Sequence, residues 1–213
     1  MSSPRRALVV VDVQLDYASG PLQIQHPPLE ESVPQVVRAL DAAAQARVPV
    51  VVVQHDSGEG APVFDPTQPG FALHPDVEAH RRDDWWSVTK RFGSVFAGTG
   101  LAERLREQGV DTVALVGFMT NNCILASAVE AEGLGFAVEV LRDATGAVHL
   151  ANDAGAVDAE TLHRTLMALL HSNFASVTDT ASWVASLDGA ELASGSDLVS
   201  SATAGAEAAA SAS

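Results

Sequence analysis

The chain has 213 residues, 47% of them hydrophobic, which is enough for one α/β domain with a substantial core. Its formal net charge of −15 argues against a nucleic-acid partner, because phosphates are bound by clustered lysines and arginines. No apolar run is long enough for a membrane span, and the N-terminus lacks the apolar core of a signal peptide. One cysteine excludes an internal disulfide and suits a reducing compartment. We therefore expect a cytoplasmic domain of enzyme size, with no membrane or nucleic-acid partner.

The first half of the chain contains two apolar runs and one long irregular stretch. Residues 7–13 are mostly β-branched and apolar, which is typical of a strand covered on both faces. Residues 29–47 have apolar residues at helical spacing, and a second buried strand follows at 50–53. Residues 55–96 hold six of the eleven aromatic residues, four of the ten prolines and four of the sixteen glycines, and they show little regular pattern. A stretch this long in a compact domain usually builds a binding site.

The second half of the chain alternates strands with helices. This alternation predicts an α/β fold of three layers, in which a doubly wound, mainly parallel sheet carries helices on both faces. We assign residues 1–193 to this domain and predict that the Ala- and Ser-rich residues 194–213 form a disordered tail. The predicted strands lie at 112–116, 136–141 and 174–177, and the predicted helices at 101–108, 123–133, 159–170 and 180–187.

Cys123 is the only cysteine, and it follows the third predicted strand in the first turn of a helix. There the helix dipole and free backbone N–H groups favour a thiolate, the nucleophilic form of sulfur. Asp12 interrupts an apolar strand, where a charge is costly unless it is paired or functional. Because the carboxyl ends of parallel strands form the ligand crevice of such sheets, we expect both residues to face one cleft. Structural roles stay open, since a lone cysteine is often a buried hydrophobe and an aspartate often caps a loop.

Lys90 lies in the irregular stretch and offers a third functional group, although a lysine in a polar loop is usually solvated. A carboxylate can accept the thiol proton, a neighbouring ammonium can hold the thiolate, and the sulfur can then attack a carbonyl carbon. Backbone N–H groups at the start of the Cys123 helix would stabilise the resulting oxyanion. Asp12, Lys90 and Cys123 together therefore predict nucleophilic catalysis through an acyl-enzyme.

Three segments of the chain resemble the isochorismatase-like cysteine hydrolases. They are Leu-Val-Val-Val-Asp-Val-Gln at 8–14, Thr-Lys at 89–90 followed by Ser-Val-Phe-Ala-Gly-Thr at 94–99, and Gly-Phe-Met-Thr-Asn-Asn-Cys at 117–123. Each segment is a weak signal alone, whereas all three in the family's order are specific. The resemblance extends over residues 6–188.

The resemblance implies a catalytic triad of Asp12, Lys90 and Cys123. In relatives with this motif a cis peptide bond precedes the residue four before the cysteine, which here is the bond between Phe118 and Met119. That bond would turn the N–H groups of Met119 and Cys123 towards the oxyanion.

The resemblance also points to the amidohydrolase branch of the family. The chain is similar to streptothricin-hydrolase-like members and to a bacterial subgroup known only as cysteine hydrolases. Such proteins cleave a linear or cyclic C–N amide bond of a small molecule through a thioester intermediate, without a cofactor. Relatives are commonly dimers or tetramers, so we expect a homo-oligomer.

Two alternatives remain beside the cysteine amidohydrolase. Metal-dependent nicotinamidases bind their metal through an Asp-x-His pair and a further histidine, and here His55, Asp56 and His74 offer these donors in a different order. We therefore expect no metal site, and we expect His55 and His74 to brace the long loop through hydrogen bonds. The other alternative is a catalytically silent relative that serves as a binding or scaffold protein.

Five further residues are candidates for binding the substrate. Aromatic walls with a few polar groups would hold a planar amide or a small ring. Each aromatic residue among them is also reasonable as a core residue. The candidates are Gln14 and Tyr17 after the first strand, Phe96 after Lys90, and Phe118 and Asn122 beside Cys123.

Overall fold

A computed structural model describes residues 4–211 and contains a six-stranded sheet with helices on both faces. The strands are β1 (Arg6–Val11), β2 (Val50–His55), β3 (Trp86–Lys90), β4 (Thr112–Phe118), β5 (Ala137–Gly146), β6 (Leu150–Asn152), β7 (Gly155–Val157) and β8 (Ser176–Thr178). Across the main sheet they follow the order β3, β2, β1, β4, β5, β8, and all neighbours are parallel. The predicted α/β architecture is therefore confirmed. β6 and β7 form a separate antiparallel hairpin.

Helices cover the sheet and divide the core into two halves. They are α1 (Leu29–Ala46), α2 (Pro75–Glu78), α3 (Leu101–Glu107), α4 (Leu125–Leu134), α5 (Ala159–Leu169), α6 (Thr180–Leu187) and α7 (Leu198–Ser211). α1 and α6 pack with Leu8 and Val10 on one face, whereas α3, α4 and α5 pack with Val9 and Val11 on the other. Alternate residues of β1 thus enter separate cores, as expected of a strand covered on both faces. None of the described helices has the length and apolarity needed to cross a membrane.

The order of the strands reverses at the boundary between β1 and β4. The chain moves from β1 outward through β2 to β3, and then returns to place β4 on the opposite side of β1. In open parallel sheets, ligands bind beside the carboxyl ends of the strands at such a reversal. Asp12 directly follows β1, and Cys123 follows β4 after a short connection. The topology therefore brings both residues to the expected crevice.

The irregular stretch before residue 96 contains an edge strand that the sequence pattern does not predict. β3 pairs with β2 from Trp86 to Lys90, and its residues alternate between more buried and more exposed positions. An edge strand with one solvated face lacks the continuous apolar run of the central strands. Because Lys90 is the last residue of β3, this strand carries the lysine to the same sheet edge as Asp12.

The C-terminal segment differs from the disorder predicted for residues 194–213. It contains α7, none of whose described residues is buried. Asp197 accepts hydrogen bonds from the backbone N–H and the hydroxyl of Ser200, so it caps the start of this helix. Alanine, which has the highest helix propensity, is the most frequent residue in the remainder of α7. The Ala- and Ser-rich composition of the tail is thus compatible with an exposed helix, which begins with Leu198 and Val199. Residues 212 and 213 lie outside the described residues, and the domain boundary at residue 193 stays a prediction.

Candidate active site

Three side chains meet at the carboxyl edge of the sheet, one at the end of β3 and the other two on the segments that follow β1 and β4. The Nζ atom of Lys90 lies 2.7 Å from Oδ2 of Asp12 and 3.2 Å from Sγ of Cys123. All three residues are buried, and each exposes at most 2% of its surface. The acid, the amine and the thiol that the sequence indicates therefore form one contiguous group that is shielded from bulk water.

Unusual backbone conformations mark the ends of the strands that carry the acid and the thiol. Asp12 has a φ of +49°, in the left-handed region that aspartate tolerates better than most residues. Gly117 has a φ of +101°, and a Cβ at this position would overlap the carbonyl oxygen of Val11. Only glycine fits there without a shift of the neighbouring strand. The peptide bond between Phe118 and Met119 is cis.

Cys123 lies in a π-helical turn, Thr120–Ile124, that leads directly into α4. A hydrogen bond between Oγ1 of Thr120 and Nδ1 of His163 (3.0 Å) joins this turn to α5, and both residues are buried. Burial lowers the pKa of His163 to about 4, and the nearby His26 adds to that shift. The imidazole is therefore neutral near pH 7. Cys123 thus lies near the start of a helix, as the sequence predicts, on a turn held by a second helix.

Burial also sets the protonation of the acid and the thiol. It raises the pKa of Asp12 to about 6, although the charge of Lys90 opposes this shift. It raises the pKa of Cys123 to about 12, and the negative charge of Asp12 adds to the increase. At neutral pH the resting group therefore contains a carboxylate and a thiol. The thiolate expected from the helix dipole is not the resting form, because desolvation of the sulfur outweighs the dipole.

An aromatic wall stands beside these groups. The ring of Tyr17 lies 5.1 Å from that of Phe64 and 5.8 Å from that of Phe118, between ring centroids. Burial and the neighbouring charges of Cys123 and Asp12 hold the pKa of Tyr17 well above its usual value. The phenol is therefore close to the reacting groups. Sequence reasoning includes Tyr17 and Phe118 but misses Phe64, which lies in the irregular stretch without any distinguishing pattern.

The polar candidates Gln14 and Asn122 differ from each other in their surroundings. The Nε2 atom of Gln14 donates to the carbonyl oxygens of His55 (3.1 Å) and Phe71 (2.9 Å). Its Oε1 atom accepts the backbone N–H of His55 at 2.8 Å. The amide of Gln14 is thus engaged in holding the loop after β2. Asn122, by contrast, is exposed next to Cys123.

Phe96 is not brought to the reacting groups. Its ring stacks on Phe136 at a centroid distance of 5.8 Å and an interplanar angle of 5°. Phe136 precedes β5, at the amino end of the strands, whereas the reacting groups lie at their carboxyl ends. The ring of Phe96 is thus packed in the core, and its role in lining the substrate pocket stays a prediction. Burial against a second aromatic ring in the core is the favoured place for this side chain.

The donors proposed for a nicotinamidase-type metal do not converge. Asp56 accepts the backbone N–H two residues further on at 2.8 Å, and His74 accepts a backbone N–H at the start of α2 at 3.3 Å. The bracing role expected of His74 fits this contact. His55 also makes a contact within the irregular stretch, because its Nδ1 atom lies 2.9 Å from Nζ of Lys90 near the other end of that stretch. These three residues therefore do not fit the metal of the nicotinamidases.

Within residues 4–211 one group of potential metal ligands is present, made of Asp12, His55 and Cys123. Their ligand atoms all lie within 4.8 Å of one another. The Nζ atom of Lys90 contacts all three side chains, so its ammonium takes the place that a cation would have among them. Sequence reasoning misses His55 as a neighbour of the triad. The feature that could have indicated it is the position of His55 at the end of β2, at the same sheet edge as Asp12, Lys90 and Cys123.

Known proteins share this sequence and fold. The model of the isochorismatase domain matches residues 6–182. A crystal structure of an isochorismatase-type protein from Burkholderia xenovorans is 42% identical, has a TM-score of 0.91, and covers 98% of this chain and 100% of that chain. The isochorismatase family protein YrdC of Bacillus subtilis is 29% identical over 83% of this chain and 92% of its own length. A streptothricin hydrolase of Streptomyces noursei is 37% identical over 65% of this chain and 49% of its own length. The chain is therefore a hydrolase of the isochorismatase family.

Proposed function

We propose that the protein is a cysteine-dependent amidohydrolase that cleaves a linear or cyclic C–N bond, other than a peptide bond, in a small molecule through a thioester. The observation that carries this proposal is the contact of Lys90 with both Asp12 and Cys123, at 2.7 and 3.2 Å. These side chains supply a base, a stabilising charge and a nucleophile. The similarity to a streptothricin hydrolase supports an amide as the bond that is cleaved.

In the first half of the reaction, Asp12 accepts the thiol proton while Sγ of Cys123 attacks the amide carbonyl carbon. Proton transfer accompanies the attack because the raised pKa of Cys123 keeps the resting thiol protonated. The carbonyl oxygen becomes an oxyanion, which the backbone N–H groups of Met119 and Cys123 stabilise. Asp12 then gives the proton to the leaving nitrogen, the C–N bond breaks, and a thioester and an amine result.

In the second half of the reaction, water attacks the carbonyl carbon of the thioester while Asp12 accepts a proton from it. The C–S bond breaks, the sulfur of Cys123 recovers its proton, and the carboxylic acid product leaves. The ammonium of Lys90 stabilises negative charge on the sulfur in both halves, and it does so strongly because the site is shielded from water. Water is the only co-substrate of this sequence.

Tyr17, Phe118 and Asn122 are our candidates for contacts with the substrate. An aromatic surface beside a few polar groups suits a planar amide or a lactam ring. We also propose that the protein acts in the cytoplasm as a homo-oligomer, a dimer or a tetramer. A monomeric mass by light scattering would contradict the proposed assembly.

The test of the covalent mechanism is the variant Cys123→Ala, measured on a panel of linear amides and lactams by the release of amine, ammonia or acid. We expect turnover by the wild-type protein and a loss of at least about a thousandfold in the variant. The melting temperature should stay close to that of the wild type. Val129→Ala is a matched control on α4, because Val129 is 41% exposed, and it should keep full activity.

Mass spectrometry after acid quenching should detect an acyl group on the wild-type protein and none on Cys123→Ala. Since the chain has one cysteine, such an adduct is assigned without ambiguity. Undiminished turnover by Cys123→Ala would refute the proposed role of the sulfur.

A further inference from the structure

His55 occupies a central position at the carboxyl edge of the sheet. It ends β2, which lies between β3 and β1, and it is paired in register with Lys90 of β3. Across the sheet edge the order is therefore Lys90, then His55, then Asp12 after β1, and then Cys123 after β4. The strand order itself thus places the backbone of a histidine between those of the lysine and the acid, whose side chains meet directly.

The position of His55 is fixed by its own set of contacts. The side-chain amide of Gln14 bonds both the backbone N–H and the backbone carbonyl of His55, at 2.8 and 3.1 Å. The imidazole also packs on the ring of Phe64, with 5.3 Å between the ring centroids. The buried side-chain amide of Gln14 thus fixes the backbone of His55 beside Lys90, Asp12 and Cys123.

The imidazole of His55 can accept a hydrogen bond from Lys90. Burial and the charge of Lys90 lower the pKa of His55 to about 4, so the ring is neutral near pH 7. Its Nδ1 atom lies 2.9 Å from Nζ, which makes Nδ1 the acceptor and leaves the proton on Nε2.

The ammonium of Lys90 has three hydrogens, and four groups with acceptor atoms lie within 3.2 Å of its nitrogen. Three of these groups accept hydrogen bonds, whereas the contact with Asp12 is an ion pair. The acceptor distances from Nζ are 2.7 Å to Asp12, 2.9 Å to His55, 3.1 Å to the carbonyl oxygen of Phe92 and 3.2 Å to the sulfur of Cys123. The acid alone would attract the ammonium most strongly, since it carries a full charge in a buried setting. His55 provides a neutral acceptor that takes one of the hydrogens of this ammonium. The hydrogen bond to His55 therefore opposes a displacement of the ammonium towards Asp12 and keeps the ammonium in contact with the sulfur.

We propose that His55 is a positioning residue of this hydrolase, which accepts a hydrogen bond at Nδ1 and thereby holds the Lys90 ammonium between Asp12 and Cys123. The kinetic consequence of this inference rests on the proposed amidohydrolase function. Its structural consequence, a sulfur that is kept in contact with an ammonium, does not depend on any substrate.

The test compares His55→Asn with His55→Leu, two side chains of nearly the same shape. Asparagine keeps an acceptor, Oδ1, at the place of Nδ1, whereas leucine removes it. We expect His55→Leu to lower kcat by about ten- to a hundredfold with KM changed less than about threefold, and His55→Asn to restore most of kcat. The control is Gln54→Leu, which removes a neighbouring side chain that bonds the carbonyl of Phe71 and not Lys90. It should leave kcat unchanged.

A second measurement follows the rate at which iodoacetamide alkylates Cys123, the only cysteine in the chain. This rate depends on the ease of forming a thiolate, so it should fall in His55→Leu by a factor similar to that in kcat and recover in His55→Asn. A merely structural role would not distinguish the two isosteric variants in this assay. If His55→Leu fails to fold, His55→Ala with and without added imidazole replaces it, and imidazole should accelerate alkylation.

The two readouts separate this inference from the proposed function. Equal alkylation rates and equal kcat values in the Asn and Leu variants would overturn the positioning role. Different alkylation rates in a protein that turns over no amide would support the positioning role and count against the amidohydrolase alone.

Discussion

Asp12 is a carboxylate in a fully buried position, where an isolated charge would cost several kcal/mol. Lys90, equally buried, neutralises it across 2.7 Å. Such a pair is tolerated in a protein interior only while both partners remain, because removal of one leaves an uncompensated charge. The pair also keeps the carboxylate close to the sulfur, where it can act as a base.

The ionisation of Asp12 should control the activity at acid pH. Its pKa is raised to about 6, and the carboxylate form is the base, so kcat/KM should fall as the pH drops through this value, by about tenfold for each unit below it. Asp12→Asn should lower kcat by about 10²- to 10⁴-fold and abolish this dependence. The measurement is kcat/KM between about pH 5 and pH 8. An unchanged acid limb in Asp12→Asn would assign the limb to another group.

Individual residues of the site differ in how clearly the sequence indicates them. Asp12 and Cys123 are found because each interrupts or ends an apolar run. Lys90 gains weight only from the family resemblance, since nothing around it marks the end of a strand. His55 and Phe64 are missed because their role depends on contacts between distant segments, which no local pattern encodes.

At the scale of elements, the end of β4 depends on Gly117. The residue has a positive φ, and a Cβ would overlap the backbone of β1. Gly117→Ala should therefore destabilise the fold by roughly 2–5 kcal/mol, because either the strand pair or the residue's conformation must change. The measurement is the free energy of unfolding from urea denaturation.

Gly133 in α4 is the matched control for this change. A Cβ there would meet no atom within 4 Å, and the residue lies inside a helix. Gly133→Ala should leave stability unchanged or raise it by up to about 1 kcal/mol. Equal free energies of unfolding for the two variants would show that the strand end adapts without cost.

Elements with a continuous apolar run are predicted well, and those without one are not. The central strands β1, β2 and β4 lie where their sequence predicts them. β5 extends to Gly146, well beyond the predicted end at residue 141, through a polar segment that resembles a turn. Within it, Asp143 accepts hydrogen bonds from the backbone N–H and hydroxyl of Thr180, at 2.8 Å each. This tertiary contact keeps the polar segment in the sheet, and no local preference could reveal it.

At the scale of the whole molecule, three groups whose pKa values are shifted by burial or partial burial couple folding to pH. The folded state lowers the pKa of both His55 and His163 from 6.5 to about 4. Between these two pH values the unfolded chain binds more protons than the folded protein, so the free energy of unfolding decreases as the pH falls from 6.5 to about 4. Asp12 acts in the opposite direction. Its pKa is raised from 3.8 to about 6, so its contribution is lost as the pH rises through that interval.

Replacing His163 should therefore flatten the acid side of the stability profile. His163→Asn keeps an acceptor for Thr120 but cannot titrate. Between pH 7.5 and pH 5 we expect the variant to lose about 2 kcal/mol less free energy of unfolding than the wild type. Urea denaturation at the two pH values measures this difference. An identical loss in both proteins would mean that His163 does not titrate abnormally in the folded state.

The protonated, buried state of Cys123 has a consequence for handling the protein in air. Hydrogen peroxide and disulfides react with the thiolate and need access to the sulfur, and only 2% of Cys123 is exposed. Sulfenic acid and mixed disulfides with glutathione should therefore form slowly. The thiol of Cys123 should therefore survive aerobic storage without an added reductant, in contrast to cysteines whose pKa is depressed.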